Sequence, residues 1–147
     1  MTTADADDAD DPDSATTAAD VRRIDVEHLC PTQLYLSAAK LASVLDEFDD
    51  EGPEYGPLPA FEHDGEWYLS DGHTRAFAAY LGGAETLRIE RDREVREVYD
   101  FDLYLTCIDW CREEGVRTVP DLAGRVLDHE TFEEAWIGRC QRAAGDG

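Results

Sequence analysis

The fold of this chain is organised by residues 70–83, which read Ser70-Asp71-Gly72-His73-Thr74-Arg75-Ala76-Phe77-Ala78-Ala79-Tyr80-Leu81-Gly82-Gly83. Gly72 permits a tight turn and lets a ligand approach the backbone closely. Apolar residues then recur at helical spacing, at Phe77, Tyr80 and Leu81, and a Gly-Gly pair ends the pattern. The stretch therefore predicts a turn between the end of a strand and a helix that begins near His73.

Such a helix would point its unpaired N–H groups at the turn, which favours an anion there. Arg75 lies in the predicted first turn, and its guanidinium suits phosphate or carboxylate. A structural interpretation uses the same residues: Asp71 caps the helix, Arg75 pairs with a carboxylate and His73 lies on the surface. The residues alone leave both interpretations open.

The segment Asp71-Gly72-His73-Thr74-Arg75 resembles the signature of the ParB/sulfiredoxin superfamily, and most of all the Asp-Gly-His-His-Arg form of its free serine kinases. In ParB partition proteins the corresponding segment reads Gly-Glu-Arg-Arg and holds nucleotide phosphates. In sulfiredoxins it reads Gly-Gly-Cys-His-Arg and carries the catalytic Cys. The resemblance covers about residues 21–95. Thr74 departs from the kinase form, and His73 occupies the position of the sulfiredoxin Cys, which excludes sulfiredoxin chemistry.

The resemblance implies a nucleotide- or phosphate-binding turn whose ligand is a nucleoside triphosphate with Mg²⁺ or another phosphorylated small molecule. The phosphate-binding residues would be Gly72, Thr74 and Arg75, together with Gln33. The catalytic candidates are His73, as a contact to a terminal phosphoryl group or an acid/base, and Asp71, which would orient His73 or ligate Mg²⁺. A phosphotransferase or NTPase activity is one form that such a site takes.

Gln33 is the main departure from the kinase pattern. It lies in Pro31-Thr32-Gln33, where the resemblance implies an element that approaches the site, and where the serine kinases carry a glutamate as base. An amide cannot usefully accept a proton near neutral pH. Gln33 could instead be a turn residue that bonds local backbone. Two further functions stay open, a non-enzymatic regulatory or interaction module and a DNA-partition protein.

The pattern of apolar residues predicts an α+β fold: a small mixed sheet with helices, plus a C-terminal helical extension. Residues 1–20 contain no large apolar residue after Met1 and predict a disordered acidic tail. Residues 21–95 predict strand, helix, hairpin around Asp64-Gly65, helix and strand. Trp67 and Leu69 are expected to face inward. Residues 49–57 predict a loop, and residues 96–142 predict helices that pack on the sheet.

The charge of the chain is strongly negative. It has 35 acidic and 13 basic residues, a net charge of −22, and its single lysine is Lys40. Residues 21–147 hold 28 acidic residues against the 13 basic ones, a net charge of −15. This pattern is typical of a salt-adapted, halophilic protein, in which concentrated ions screen self-repulsion. It disfavours DNA binding, which needs clustered positive charge.

The remaining patterns bear on location and metals. The sequence contains neither a membrane-length apolar run nor a signal peptide, which predicts a cytoplasmic protein with reduced thiols. Cys107 and Cys111 fall on an apolar helical stripe, which favours core packing over a metal or redox role. A second metal hypothesis combines His63, Asp71 and His73, which we expect near the mouth of the hairpin.

Overall fold

The computed structural model describes residues 21–51, 57–95 and 100–146. The predicted tail at residues 1–20, the loop residues 52–56 and the first residues of the predicted extension, 96–99, lie outside these ranges. Within the described residues no helix is long and apolar enough to cross a membrane.

A five-stranded mixed sheet forms the centre of the molecule, which confirms the α+β prediction. Its strands are β1 (Val21–Asp25), β2 (Leu29–Cys30), β4 (Leu58–His63), β5 (Glu66–Leu69) and β6 (Thr86–Arg91). They lie in the order β1-β6-β4-β5-β2. The β4–β6 and β2–β5 pairs are parallel, and the β1–β6 and β4–β5 pairs are antiparallel.

The β4–β5 hairpin turns where Asp64-Gly65 predicts it. Both residues have positive φ, 53° at Asp64 and 80° at Gly65. Two left-handed residues in a row make the turn type whose twist matches that of the flanking strands, and Asp-Gly is a favoured sequence for it. The hairpin delivers the end of β5 directly into residues 70–83.

A short parallel pair, β3 (Leu36–Ser37) with β7 (Val126–Leu127), forms a second sheet. It joins two segments about 90 residues apart in sequence, which the sequence analysis did not foresee. Val126 is the first residue of β7, and the 3₁₀ turn at Val119–Leu122 precedes this strand. This pair fastens the C-terminal part of the chain beside the N-terminal part.

The helices cover both faces of the sheet. They are α1 (Ala38–Glu51), α2 (His73–Leu81), α3 (Phe101–Glu113), α4 (His129–Phe132) and α5 (Gly138–Asp146), and a π-helical segment at Glu133–Ile137 joins the last two. Helix α1 runs to Glu51, so the loop prediction for residues 49–57 is wrong at its first three residues.

The larger hydrophobic core contains residues of the sheet, of α2 and of the C-terminal segments, among them Leu69, Phe77 and Trp136. A second cluster lies on the other face and includes Phe61, Tyr68 and Ile108. Helix α3 covers this face, where the Arg112 Nη2 donates to the Tyr68 hydroxyl at 2.7 Å. Both faces of β5 are therefore buried, Tyr68 as well as the expected pair Trp67 and Leu69.

Helix α2 packs through Ala76, Phe77, Ala78 and Ala79, all buried. Three alanines let its backbone lie close to its neighbours, which are α1, the 3₁₀ turn at Val119–Leu122 and β3. Leu81, a member of the predicted stripe, is 52 % exposed at the last helical position. The bounds of the helix follow the prediction, and so does the stripe at the buried Phe77 and at Tyr80, which packs against the core; only Leu81 departs from it.

Candidate functional site

The turn between β5 and α2 depends on glycine at position 72. Gly72 has φ 79°, and a Cβ built there would lie 2.9 Å from Leu58 Cδ2. Any other residue would meet both left-handed strain and a clash with the first residue of β4. The turn is therefore held tightly against the sheet, and the start of α2 is fixed in position.

Asp71 does not cap α2. Its side chain is exposed, and its Oδ1 accepts a hydrogen bond from the N–H of Gly72 at 2.8 Å, outside the helix. Gly72 occupies the N-cap position, and α2 has no side-chain cap. Ala76 donates the first intrahelical bond, to Gly72 O at 2.9 Å. In the described part of the chain, the N–H groups of residues 73–75 therefore have no acceptor.

His73 is buried, with only 4 % of its surface exposed, whereas the structural interpretation had placed it on the surface. Its Nε2 accepts the backbone N–H of Thr32 at 2.9 Å, so the neutral tautomer carries its proton on Nδ1. Burial lowers the pKa of His73 to about 4, against the smaller opposing effect of the Asp71 carboxylate. Within the described residues Nδ1 is buried without a hydrogen-bond partner. His73 is thus a neutral N–H donor whose acceptor is missing.

The Pro31-Thr32-Gln33 segment lies against this histidine. The Thr32 hydroxyl donates to Leu69 O at 2.7 Å and lies 3.4 Å from His73 Nε2, so Thr32 ties the segment to both β5 and α2. Gln33, in contrast, donates through Nε2 to Tyr35 O at 2.8 Å. The structure brings the segment to the site through Thr32, and it uses the Gln33 amide to hold the local turn.

Arg75 and Thr74 lie on the outer part of the first helical turn. Arg75 is exposed, and its Nη2 lies 3.9 Å from Glu47 Oε1 on α1. An ion pair this long and this solvated contributes little to stability, so the guanidinium can exchange its partner at small cost. Thr74 is partly exposed beside it. The turn therefore combines a movable cation with fixed backbone donors.

Ser70 and Asp92 form a contact that the sequence analysis missed. The buried Ser70 Oγ donates to Asp92 Oδ2 at 2.7 Å, and the Tyr104 hydroxyl donates to Ser70 O at 2.9 Å. Asp92 directly follows β6. A carboxylate at the end of a strand is the one feature of the sequence that could have indicated this contact. These bonds anchor the residue before the turn to β6 and α3, and they fix the side of the turn that faces the sheet.

A Ser–His–Glu arrangement also occurs, away from this turn. Ser37 Oγ lies 3.0 Å from His129 Nδ1, and His129 Nε2 lies 3.3 Å from Glu133 Oε2. The order resembles a hydrolase triad, but Ser37 has no exposed surface. Its Oγ also accepts the N–H of Lys40 at 3.4 Å in the first turn of α1. A hydroxyl that no substrate reaches is not a nucleophile. The three side chains instead join the end of β3 to α4 and to the π-helical segment that follows it.

The hypothesis of a metal site formed by His63, Asp71 and His73 is wrong. His63 pairs with Glu66 at the turn end of the hairpin, whereas Asp71 follows the opposite end of β5. Across residues 21–51, 57–95 and 100–146, no group of three His, Cys, Asp or Glu side chains could hold a metal ion. The search of the described residues included the cysteines. Cys107 and Cys111 are buried, as expected for core residues.

Comparisons with known proteins assign no family. No protein-family model matches the chain, and no curated protein matches its sequence. Among solved structures, the chain is similar to the crystal structure of protein Atu1540 from Agrobacterium tumefaciens, with 19 % identity and a TM-score of 0.44. The match covers 63 % of this chain and 48 % of that protein, so this chain spans about half of its length. The site is therefore interpreted from its own geometry.

Proposed function

We propose that the turn at residues 71–75 binds the phosphate of a small molecule, and that a nucleotide is the main candidate. The observation that carries the proposal is the uncapped start of α2. The one side chain placed to cap it, Asp71, bonds Gly72 instead. Free N–H groups at a helix start, with the positive end of the helix dipole behind them, favour an oxyanion.

His73 positions the start of α2 by accepting the Thr32 N–H at 2.9 Å. Its Nδ1–H has no acceptor among the described residues, but the atom is buried, so it is not counted among the donors to a ligand. Arg75 adds a half-exposed guanidinium in the same helical turn. The resemblance of Asp71-Gly72-His73-Thr74-Arg75 to the phosphate-holding segment of the ParB/sulfiredoxin superfamily agrees with this chemistry.

The function proposed for the turn is binding of the phosphorylated ligand, and catalytic turnover of that ligand is less favoured. A nucleoside triphosphate fits the donors, and a divalent ion would bind together with its phosphates, because the described side chains form no metal cluster of their own. The basic lone pair of His73, on Nε2, already accepts the Thr32 N–H, and burial lowers the pKa of His73 to about 4. The Gln33 amide donates to Tyr35 O and is not a base. Neither residue is therefore placed as a base for phosphoryl transfer. A non-enzymatic regulatory module is thus consistent with the site.

The test is calorimetric titration of the full chain in molar KCl with pyrophosphate, ATP and CTP, each with and without Mg²⁺. Arg75→Ala should weaken binding by about 1.5–3 kcal/mol, which is about 10- to 150-fold, because it removes a charge-assisted contact. Arg23→Ala, on the edge strand β1, is the matched control and should bind as the wild type does. The melting temperature without ligand should be nearly unchanged in both variants.

Two results would contradict the proposal. If none of the three probes binds, the turn is not a phosphate site. If Arg75→Ala unfolds the protein, or leaves the affinity unchanged, the turn is structural and the interaction-module function replaces the proposed one. A parallel assay for nucleotide hydrolysis separates binding from turnover, and Gln33→Glu tests whether restoring a carboxylate raises any activity.

A further inference from the structure

Three of the four free cysteines meet between α3 and α5. Cys107 and Cys111 lie one turn apart on α3, and Cys140 faces them from α5. Cys140 packs against the part of the hydrophobic core that contains Cys107 and Cys111. Trp110 and Trp136 pack edge to face beside them, with ring centroids 5.9 Å apart. The packing of α3 against α5 therefore brings the half-buried Cys140 next to the two buried cysteines of α3.

The surroundings distinguish Cys140 from its neighbours. It is half-buried, whereas Cys107 and Cys111 are buried. A hydrogen bond with Cys107 lowers the pKa of Cys140, and the adjacent Arg139 guanidinium lowers it further, against the effect of burial. The same contact and burial raise the pKa of Cys107, and burial raises that of Cys111 to about 12. Arg139 is itself fixed, 4.0 Å above the Trp110 ring and 3.9 Å from Glu114 Oε2.

We propose that Cys140 is a modification site, a hydroperoxide-sensitive thiol whose resolving partner is Cys107, and that the two form a reversible disulfide between α3 and α5. The proposal is independent of the phosphate-binding turn. A partly exposed thiol beside a cation and a second thiol has the character of a redox-sensitive cysteine. The described side chains offer no metal site that would compete for these sulfurs.

The chemistry balances in two steps. The Cys140 thiolate attacks the peroxide, the O–O bond breaks, and after proton uptake Cys140 sulfenic acid and one water form. Cys107 then attacks the sulfenic sulfur, releases its proton to the departing hydroxyl, and gives the disulfide and a second water. Two thiols together lose two electrons to one peroxide. A dithiol reductant returns the disulfide to two thiols by thiol–disulfide exchange and is itself oxidised.

The experiment treats the full chain with one equivalent of hydrogen peroxide in molar KCl and then counts its thiols. Peptide mass spectrometry without reductant should show that two of the four thiols are lost, in a single Cys107–Cys140 cross-link that dithiothreitol removes. Cys107→Ser should stop at the sulfenic acid on Cys140, which dimedone traps. Cys30→Ser is the control, because Cys30 is bonded to Glu66 at 3.3 Å elsewhere in the fold, and it should form the cross-link as the wild type does.

The wild-type protein alone can overturn the proposal, even if a variant fails to fold. A cross-link that contains Cys111 or Cys30, or one that joins two chains, would show that Cys107 is not the resolving thiol. Four thiols that survive the treatment unchanged would show that Cys140 is only a core residue. If Cys140→Ser folds and loses thiols at the wild-type rate, the reactive site lies elsewhere.

Discussion

The buried histidine makes the stability of the protein depend on pH in a defined window. His73 has a pKa of about 4 in the folded chain, against about 6.5 when unfolded. Its neutral form is therefore favoured by the fold. The stability that depends on this neutral form is complete above pH 6.5 and is lost as the pH falls from 6.5 towards 4, because only the unfolded chain takes up the proton there.

The size of the effect follows from the two pKa values. Between pH 7 and pH 5 this one group should lower the free energy of unfolding by about 2 kcal/mol. The many carboxylates of the chain also titrate at low pH, so measurements on the wild type alone do not isolate the contribution of His73. His73→Gln removes the titrating group and keeps an acceptor for the Thr32 N–H. The expected result is a difference between wild type and variant that changes by about 2 kcal/mol across this range.

Urea denaturation at pH 7, 6 and 5 in molar KCl measures the difference. His28→Gln is the control, since His28 is an exposed histidine that pairs with Asp25 at 3.7 Å. If wild type and His73→Gln lose the same stability between pH 7 and 5, the burial argument is refuted. Should His73→Gln not fold, the imidazole C–H resonances of the wild type give the same answer, because the His73 signal should not titrate above pH 5.

Three further predictions concern the turn, the charge and the thiols. Gly72→Ala should lose about 1–3 kcal/mol more stability in urea than Gly65→Ala, because both strain a left-handed residue but only the first meets Leu58; equal losses would contradict this. The melting temperature should rise markedly from dilute buffer to molar KCl, and a flat profile would refute the halophilic interpretation. Cys111→Ala should lower the free energy of unfolding in urea by about 1 kcal/mol, because Cys111 is a buried core residue. EDTA should leave the melting curve of the wild type unchanged. Stoichiometric zinc that is lost together with the fold would contradict the assignment of the cysteines to the core.

The sequence predicts the hairpin and the bounds of α2 because their determinants are local. Asp64-Gly65 adopts the two positive φ values that its turn requires, and the Gly82-Gly83 pair follows the last residue of α2. Asp128 likewise caps α4, where its Oδ2 accepts the N–H of Thr131 at 3.1 Å. Each of these signals acts within four residues, so no tertiary contact is needed to interpret it.

The parts that the sequence does not predict depend on distant contacts. The burial of Tyr68 requires α3 on the second face of the sheet, and the pairing of β3 with β7 spans about 90 residues. The neutral state of His73 requires both its burial and the Thr32 N–H on Nε2. A motif gives the residue types of such a site, but its hydrogen bonds and protonation follow from packing that only the three-dimensional structure supplies.

The charge of the chain also explains what kind of donors an anion site needs here. With a net charge of −22, the chain as a whole repels a phosphate at long range, and dissolved salt weakens that repulsion. The donors at the turn are three neutral backbone N–H groups and the single guanidinium of Arg75. Hydrogen bonds from fixed neutral groups act at contact distance, where screening by salt is slight, so concentrated KCl removes the repulsion and leaves the attraction. A basic patch would behave in the opposite way, because its long-range attraction is what salt screens. A site built mainly on fixed neutral donors is therefore expected to keep its affinity in concentrated salt, even on a chain with a net charge of −22.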